Sequence, residues 1–160
     1  MAIWLKVKPY ILDISIGPLD YFNRLFAGKA VYQAWVGILD IEGTERLNDY
    51  KSIACVFVST PFDYVFHYAA MVGVKRTQDN PVRVLEDITG IKNVLNLSKN
   101  TGVKHVYFSS SSEVYGEPVE LPQHEETTPL NSRLPYAIVK NVGEAFLRSY
   151  KQEYGLDFTI

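Results

Sequence analysis

The most constraining stretch of the sequence is an apolar segment that ends in four serines and is followed by a tyrosine and a lysine four positions apart. Residues 103–108 predict a buried strand, and residues 109–112 are all serine. Pro135 suits the first position of a helix, on which Tyr136 and Lys140 share one face. The pattern predicts a strand, a loop and a helix that bring polar side chains to the carboxyl end of a parallel strand, where ligands bind in α/β sheets.

Tyr136 and Lys140 form a candidate acid–base pair. An ammonium beside a phenol favours the phenolate, so we expect the pKa of Tyr136 to fall from its usual value of about 10 toward neutrality. A phenol shifted in this way acts as a general acid or base. Such pairs are also common on helices where they only cover a surface, and serine runs are common in plain loops. The residues alone therefore leave a structural role open.

Strand and helix signals alternate along the whole chain. Alternation of this kind predicts a parallel sheet with helices on both faces. The strand signals lie at residues 9–14, 30–36, 62–70, 103–108 and 156–160. The helix signals lie at residues 19–26, from Thr44 to about Lys51, from Asn80 and Pro81 to the stop at residues 100–102, and from Tyr136 to Gly155.

Composition narrows the functional classes. The chain has 160 residues, which suggests one domain, and its net charge of −2 offers no basic surface for nucleic acid. The single cysteine, Cys55, excludes an internal disulfide and stands in an apolar run, so we expect a buried structural thiol. No stretch approaches the ~20 apolar residues of a membrane span, and the N-terminus lacks a signal-peptide pattern. We therefore expect a cytoplasmic protein.

The run Ser-Ser-Ser-Ser-Glu-Val-Tyr-Gly at 109–116, with Pro-Tyr-x-x-x-Lys at 135–140, resembles the extended short-chain dehydrogenase/reductase family. More narrowly, it resembles the NAD-dependent sugar-nucleotide epimerases, dehydratases and decarboxylases. The resemblance implies Ser111, Tyr136 and Lys140 as the catalytic set, with Glu113 as a further candidate. It also implies NAD as the resident cofactor, a nucleotide-sugar substrate, most simply a UDP-sugar, and a homodimer.

The same resemblance assigns cofactor contacts. Asp13 resembles the acid that ends the family's second strand and holds the adenosine ribose, although an ordinary turn-starting Asp is an equal alternative. Asp40 and Ile41 resemble the pair that contacts adenine, or Asp40 simply caps a helix. Residues 67–70 resemble a turn of small residues that lies against NAD, with a structural histidine. The implied set is Asp13, Asp40, Ile41, Tyr68, Ala69, Ala70, Asp87 (usually Asn in the family), Ser109, Tyr136 and Lys140.

The family's glycine loop is missing. A dinucleotide fold opens with Gly-x-Gly-x-x-Gly, whose glycines let the backbone approach the pyrophosphate. No glycines in this sequence have that spacing. We therefore expect an incomplete Rossmann-like parallel sheet that lacks the usual first strand, in a partial NAD-binding domain over residues 1–160 without the C-terminal substrate domain. Because the first strand is central in the order 3-2-1-4-5-6, we also expect a gap in the sheet and a chain that is destabilised or associates with another chain.

The implied function is a NAD-dependent epimerase or dehydratase, an isomerase or lyase, that acts through a transient 4-keto sugar. Ser112 and Glu113 resemble the pair found in UDP-glucuronate decarboxylases and some dehydratases, so a decarboxylase stays open, as does a merely solvated Glu113. A non-catalytic Rossmann-like remnant is the alternative from another class. The missing glycine loop favours the remnant for these 160 residues. The intact Ser111, Tyr136 and Lys140 favour an enzyme.

Overall fold

The computed structural model describes Tyr10–Ile14, Tyr32–Gln33 and residues 47–160. The predictions at residues 19–26 and at Asp40 and Ile41 lie outside the described residues, and only Tyr32–Gln33 of the predicted strand at 30–36 lies inside them. The elements are the strands β1 (Tyr10–Ile14), β2 (Tyr32–Gln33), β3 (Tyr64–His67), β4 (His105–Phe108) and β5 (Asp157–Thr159), the helices α1 (Tyr50–Ser59), α2 (Val74–Asp79), α3 (Pro81–Thr101) and α4 (Pro135–Tyr154), and a 3-10 helix at Ser112–Tyr115.

All five strands are parallel and form one sheet in the order β2-β1-β3-β4-β5. Parallel neighbours need crossover connections, and in the described part of the chain α1 lies between β2 and β3, α2 and α3 lie between β3 and β4, and α4 lies between β4 and β5. The predicted Rossmann-like α/β class is confirmed. No helix in the described part of the chain is both long and apolar enough to cross a membrane.

The position of β1 corrects one part of the prediction. Its backbone pairs with β2 on one side and with β3 on the other, with Asp13 opposite Phe66 and Ile14 opposite His67. The strand that the resemblance placed second thus lies directly beside β3, and pairing with it satisfies the backbone hydrogen bonds of that edge of β3. The expected gap in the sheet is therefore wrong. Asp13 lies one residue before the end of β1, and its ribose contact stays a prediction.

The apolar run around Cys55 is helical, and Cys55 is exposed. Ile53 and Phe57 stand four residues apart on α1 and are buried, so Cys55 between them points to the other side. The prediction of a buried structural thiol is therefore wrong. Of the helix predicted from Thr44 to about Lys51, the described residues Leu47 and Asn48 are helical, and α1 then begins at Tyr50, where the Asp49 side chain accepts a hydrogen bond from the backbone N–H of Lys51 at 3.1 Å.

Two long helices carry most of the packing that positions the site. α3 begins at Pro81 and stops at Gly102, and α4 begins at Pro135 and stops at Gly155, as the sequence predicts. Both terminal glycines have the left-handed backbone that ends helices. Gly143 lets α4 approach β4, because a Cβ built there would lie 2.4 Å from Cζ of Phe108. Phe108 is itself buried, at 4 % exposure.

We expect Gly143→Ala to destabilise the chain. The added methyl group gains up to about 1 kcal/mol of helix propensity but meets the buried Phe108 ring, and overpacking costs about 1–3 kcal/mol. Urea denaturation should show a lower free energy of unfolding for Gly143→Ala than for the unchanged chain. Ser149→Ala, an exposed change on the same helix, should leave the free energy of unfolding unchanged. Equal or greater stability of Gly143→Ala would contradict the close approach of α4 to Phe108.

Candidate active site

The candidate site lies where β3 and β4 end side by side. His67 and Phe108, the last residues of these strands, are paired in register. The ladder continues for one more bond, because the backbone N–H of Ser109 donates to the carbonyl of His67 at 3.3 Å. The serine loop therefore starts from a rigid base at the carboxyl edge of the sheet, where α/β folds bind ligands.

The first three of the four serines after β4 have three different partners. Ser109 accepts from the Lys140 ammonium at its carbonyl (2.7 Å) and at its hydroxyl (3.3 Å). The Ser110 hydroxyl donates to Glu144 at 2.6 Å. The hydroxyl of Ser111 accepts from the backbone N–H of Glu113 at 3.3 Å, and Ser111 lines the same cleft as Tyr136, whose pKa it lowers. Ser111 is therefore the serine that the fold directs at the candidate acid–base residue.

Lys140 is buried beneath the loop. Its side chain is 2 % exposed, and its Nζ lies 4.9 Å from the centre of the Phe108 ring. Burial removes the ammonium from water and lowers the pKa of Lys140 to about 8, against the opposing effect of the Asp87 carboxylate. The lysine therefore titrates much closer to neutrality than an exposed lysine does.

Tyr136 departs from the prediction. Burial raises the pKa of Tyr136 above its usual value, the hydrogen bond with Ser111 opposes that rise, and the charge of Glu113 adds to it. Lys140 does not lower the pKa, because its ammonium is bound to Ser109 and lies 5.7 Å from the centre of the Tyr136 ring. The predicted lowering of the Tyr136 pKa is therefore wrong, and Tyr136 is a neutral phenol near pH 7.

An open cleft of about 670 Å³ lies over this group of residues. Ser111, Glu113 and Tyr136 form one wall, and the segment around α2 forms the other. Its volume falls within the range of small-molecule sites. The α2 wall was not predicted, although it directly follows the small-residue turn after β3. The residues of that wall are Val72, Gly73, Val74, Thr77, Gln78 and Pro81.

The turn after β3 completes the carboxyl edge. Ala69 and Ala70 are buried, Tyr68 is 40 % exposed, and the backbone N–H of Met71 donates to the Asp87 carboxylate at 2.8 Å. His67 is 2 % exposed, and burial lowers its pKa to about 3, so it is neutral at physiological pH. Its ring stands edge-on to Phe108, with centres 5.6 Å apart, which agrees with a structural role.

These residues fit the nicotinamide-ribose half of a dinucleotide. The Lys140 ammonium has three hydrogens and forms two bonds to Ser109. Tyr136 lines the cleft together with Ser111. Asp40 and Ile41, predicted at the adenine half, lie outside the described residues. The cofactor contacts therefore stay predictions.

Solved structures share the fold. UDP-glucose 4-epimerase from Thermus thermophilus, in complex with NAD, aligns with a TM-score of 0.77 at 25 % identity, over 93 % of this chain and 53 % of that one. UDP-glucose 4-epimerase from Brucella ovis, also in complex with NAD, aligns with a TM-score of 0.78 at 21 % identity, over 95 % of this chain and 50 % of that one. Because its identity is only 21 %, the Brucella ovis structure supports a shared fold and nothing further.

Curated relatives are longer than this chain. UDP-glucuronate 4-epimerase 3 from Arabidopsis thaliana is 32 % identical over 148 residues, which cover 88 % of this chain and 34 % of the relative. A putative UDP-glucose 4-epimerase from Methanocaldococcus jannaschii is 34 % identical over 100 residues, which cover 61 % of this chain and 32 % of the relative. The chain thus spans about a third of the length of these relatives.

The family model called NAD dependent epimerase/dehydratase family matches residues 44–160, which include β3, β4, α4 and every described candidate catalytic residue. This match confirms the predicted resemblance, and with it an enzyme family whose cofactor is NAD. The chain belongs to the NAD-dependent epimerase/dehydratase family.

Proposed function

We propose that this chain carries the catalytic residues of a NAD-dependent nucleotide-sugar epimerase that acts through a transient 4-keto sugar. The observation that supports it best is the arrangement of Ser111 and Tyr136, which line the same open cleft, with Lys140 buried one helical turn away from Tyr136. The relatives named as UDP-sugar 4-epimerases favour this reaction and a UDP-sugar substrate. A homodimer and a cytoplasmic location stay predictions.

In the proposed mechanism, Tyr136 moves a proton to and from the sugar 4-hydroxyl. The chemistry that NAD supplies when bound is reversible hydride transfer at the adjoining carbon. Ser111 orients the sugar hydroxyl and donates to the oxygen as negative charge develops on it. Lys140 holds the helix against the loop and offers its remaining N–H to a ribose hydroxyl. The neutral phenol of the resting chain is the form that returns a proton to the keto oxygen, because a phenol donates and a phenolate accepts.

A decarboxylase is the second candidate, and Glu113 is the observation that favours it. Its side chain stands in the cleft wall with Ser111 and Tyr136, the position that the resemblance to UDP-glucuronate decarboxylases implies for an acidic residue. Both reactions begin with the same oxidation at C4, so the catalytic set does not separate them. Product analysis with UDP-glucuronate does: an epimer retains all carbons, whereas a decarboxylase releases carbon dioxide and a pentose nucleotide.

Replacing Tyr136 by Phe in the protein that carries this chain should lower turnover of UDP-sugars by about 10²–10⁴-fold, because proton transfer by the phenol is lost. NADH binding should be largely retained, since the ring and its packing remain. Tyr154→Phe, the same change at the exposed end of α4, is the control and should keep full turnover. Product chromatography measures the rates. Undiminished turnover of Tyr136→Phe would overturn the assignment.

The chain itself should bind NADH at micromolar concentration, as read by nicotinamide fluorescence. Lys140→Met should weaken binding by about 10–100-fold, since a hydrogen bond to a charged group contributes about 1.5–3 kcal/mol. Lys151→Met, an exposed change on the same helix, should leave binding unchanged. If the folded chain binds no NADH, the non-catalytic remnant becomes the better description of these 160 residues.

A further inference from the structure

A small cavity lies beside the turn that follows β3. Its volume is about 10 Å³, and a cavity of about this size holds one water molecule. It shares no lining residue with the cleft of about 670 Å³ that contains the candidate catalytic residues. Its walls come from three parts of the chain, namely the helical turn before α1, the end of β3 with its turn, and α3. The lining residues are Leu47, Asn48, His67, Ala69, Asp87 and Gly90.

Two side chains of the cavity wall have buried polar atoms that lack a protein partner. The Oδ1 atom of Asn48 and both ring nitrogens of His67 have no hydrogen-bond partner among the described residues. His67 is only 2 % exposed, so bulk water does not pair with its ring. Buried polar groups in folded proteins are nearly always paired, either with protein atoms or with ordered water. A partner held inside the cavity would satisfy this requirement.

The packing of α3 fixes the position of the Asn48 oxygen. Nδ2 of Asn93 donates to the carbonyl of Leu47 at 2.8 Å and to that of Asn48 at 3.1 Å, which holds this segment against the helix. Gly90 lies three residues before Asn93 and therefore on the same face of α3. A Cβ built on Gly90 would lie 3.0 Å from Oδ1 of Asn48. The oxygen thus stands close to α3 at a point that lines the cavity.

The other two polar groups of the wall suit a water molecule. Burial lowers the pKa of His67 to about 3, so its ring is neutral and has one N–H donor and one acceptor nitrogen. Water both donates and accepts, so it matches whichever nitrogen lies nearer to the cavity. The Asp87 carboxylate accepts from the Met71 N–H at 2.8 Å and has capacity for further bonds, since a carboxylate has about four acceptor positions. Three polar groups are what a buried water typically binds.

We propose that this cavity binds one structural water molecule, which bridges the His67 ring, the Asn48 side-chain oxygen and the Asp87 carboxylate. The water joins three segments that are distant in sequence. It lies beside Ala69, and so it supports the small-residue turn at the carboxyl edge of the sheet. The proposal does not depend on the proposed reaction, because none of these three groups is assigned a role in proton or hydride transfer.

The direct test is a high-resolution crystal structure of the protein that carries this chain. Electron density should show a single peak in the cavity, about 2.7–3.2 Å from one ring nitrogen of His67 and from Oδ1 of Asn48. Well-ordered side chains around a cavity without such a peak would overturn the proposal.

Oxygen-17 magnetic relaxation dispersion tests the same site in solution, because its amplitude reports the number of long-lived buried waters. His67→Phe retains a ring without nitrogens, and Asn48→Leu retains a similar volume without the oxygen. Each should lower the number by one, whereas Asn48→Asp, which retains an acceptor oxygen, should not. Ser98→Ala, the control, removes a buried hydroxyl that lies outside this cavity and should leave the number unchanged.

Asn48 is only partly buried, so Asn48→Leu decides the test if His67→Phe does not fold. An unchanged number of buried waters in folded Asn48→Leu would contradict the bridging water. Neither readout uses turnover or NADH binding. Failure of this proposal is therefore distinguishable from failure of the proposed function.

Discussion

The hydrogen bond from Lys140 to the Ser109 carbonyl joins the helix that carries the candidate chemistry to the sheet that supports it. The acceptor is a backbone atom at the end of β4, and its own N–H continues the ladder to His67. The donor therefore binds to a fixed point rather than to a mobile side chain. Gly143, less than one turn further along α4, permits the close approach to Phe108 that brings the lysine there. Tyr136 then takes its position from the same helix, one turn toward its start.

Much of this arrangement follows from local signals. The residues correctly predict the strand before the serines, the helix between Pro135 and Gly155, and the end of the preceding helix at Gly102. The helix bounds are predictable because proline at a helix start and glycine at its end act over a few residues. The motif 109–116 and the Tyr136–Lys140 spacing predicted the correct family for the same reason. These features need no knowledge of which elements touch.

The wrong predictions all depend on contacts between distant elements. An apolar run such as that around Cys55 suits a strand or a helix until its neighbours decide which face is buried. The place of β1 depends on its pairing with β3, which lies far along the chain. The pKa of Tyr136 depends on where the Lys140 ammonium points, and the acceptor that holds it is on another element. Spacing on one helix predicts proximity but not the direction of a hydrogen bond.

Burial shifts Tyr136 and Lys140 toward their uncharged forms together, one by raising its pKa and the other by lowering it. The two shifts have one cause, because burial removes both groups in part from water, and a less polar surrounding disfavours any net charge. Near pH 8, Tyr136 is therefore neutral, and Lys140 is close to the midpoint of its titration. Under the proposed mechanism, abstraction of a proton by Tyr136 requires added positive charge near the phenol.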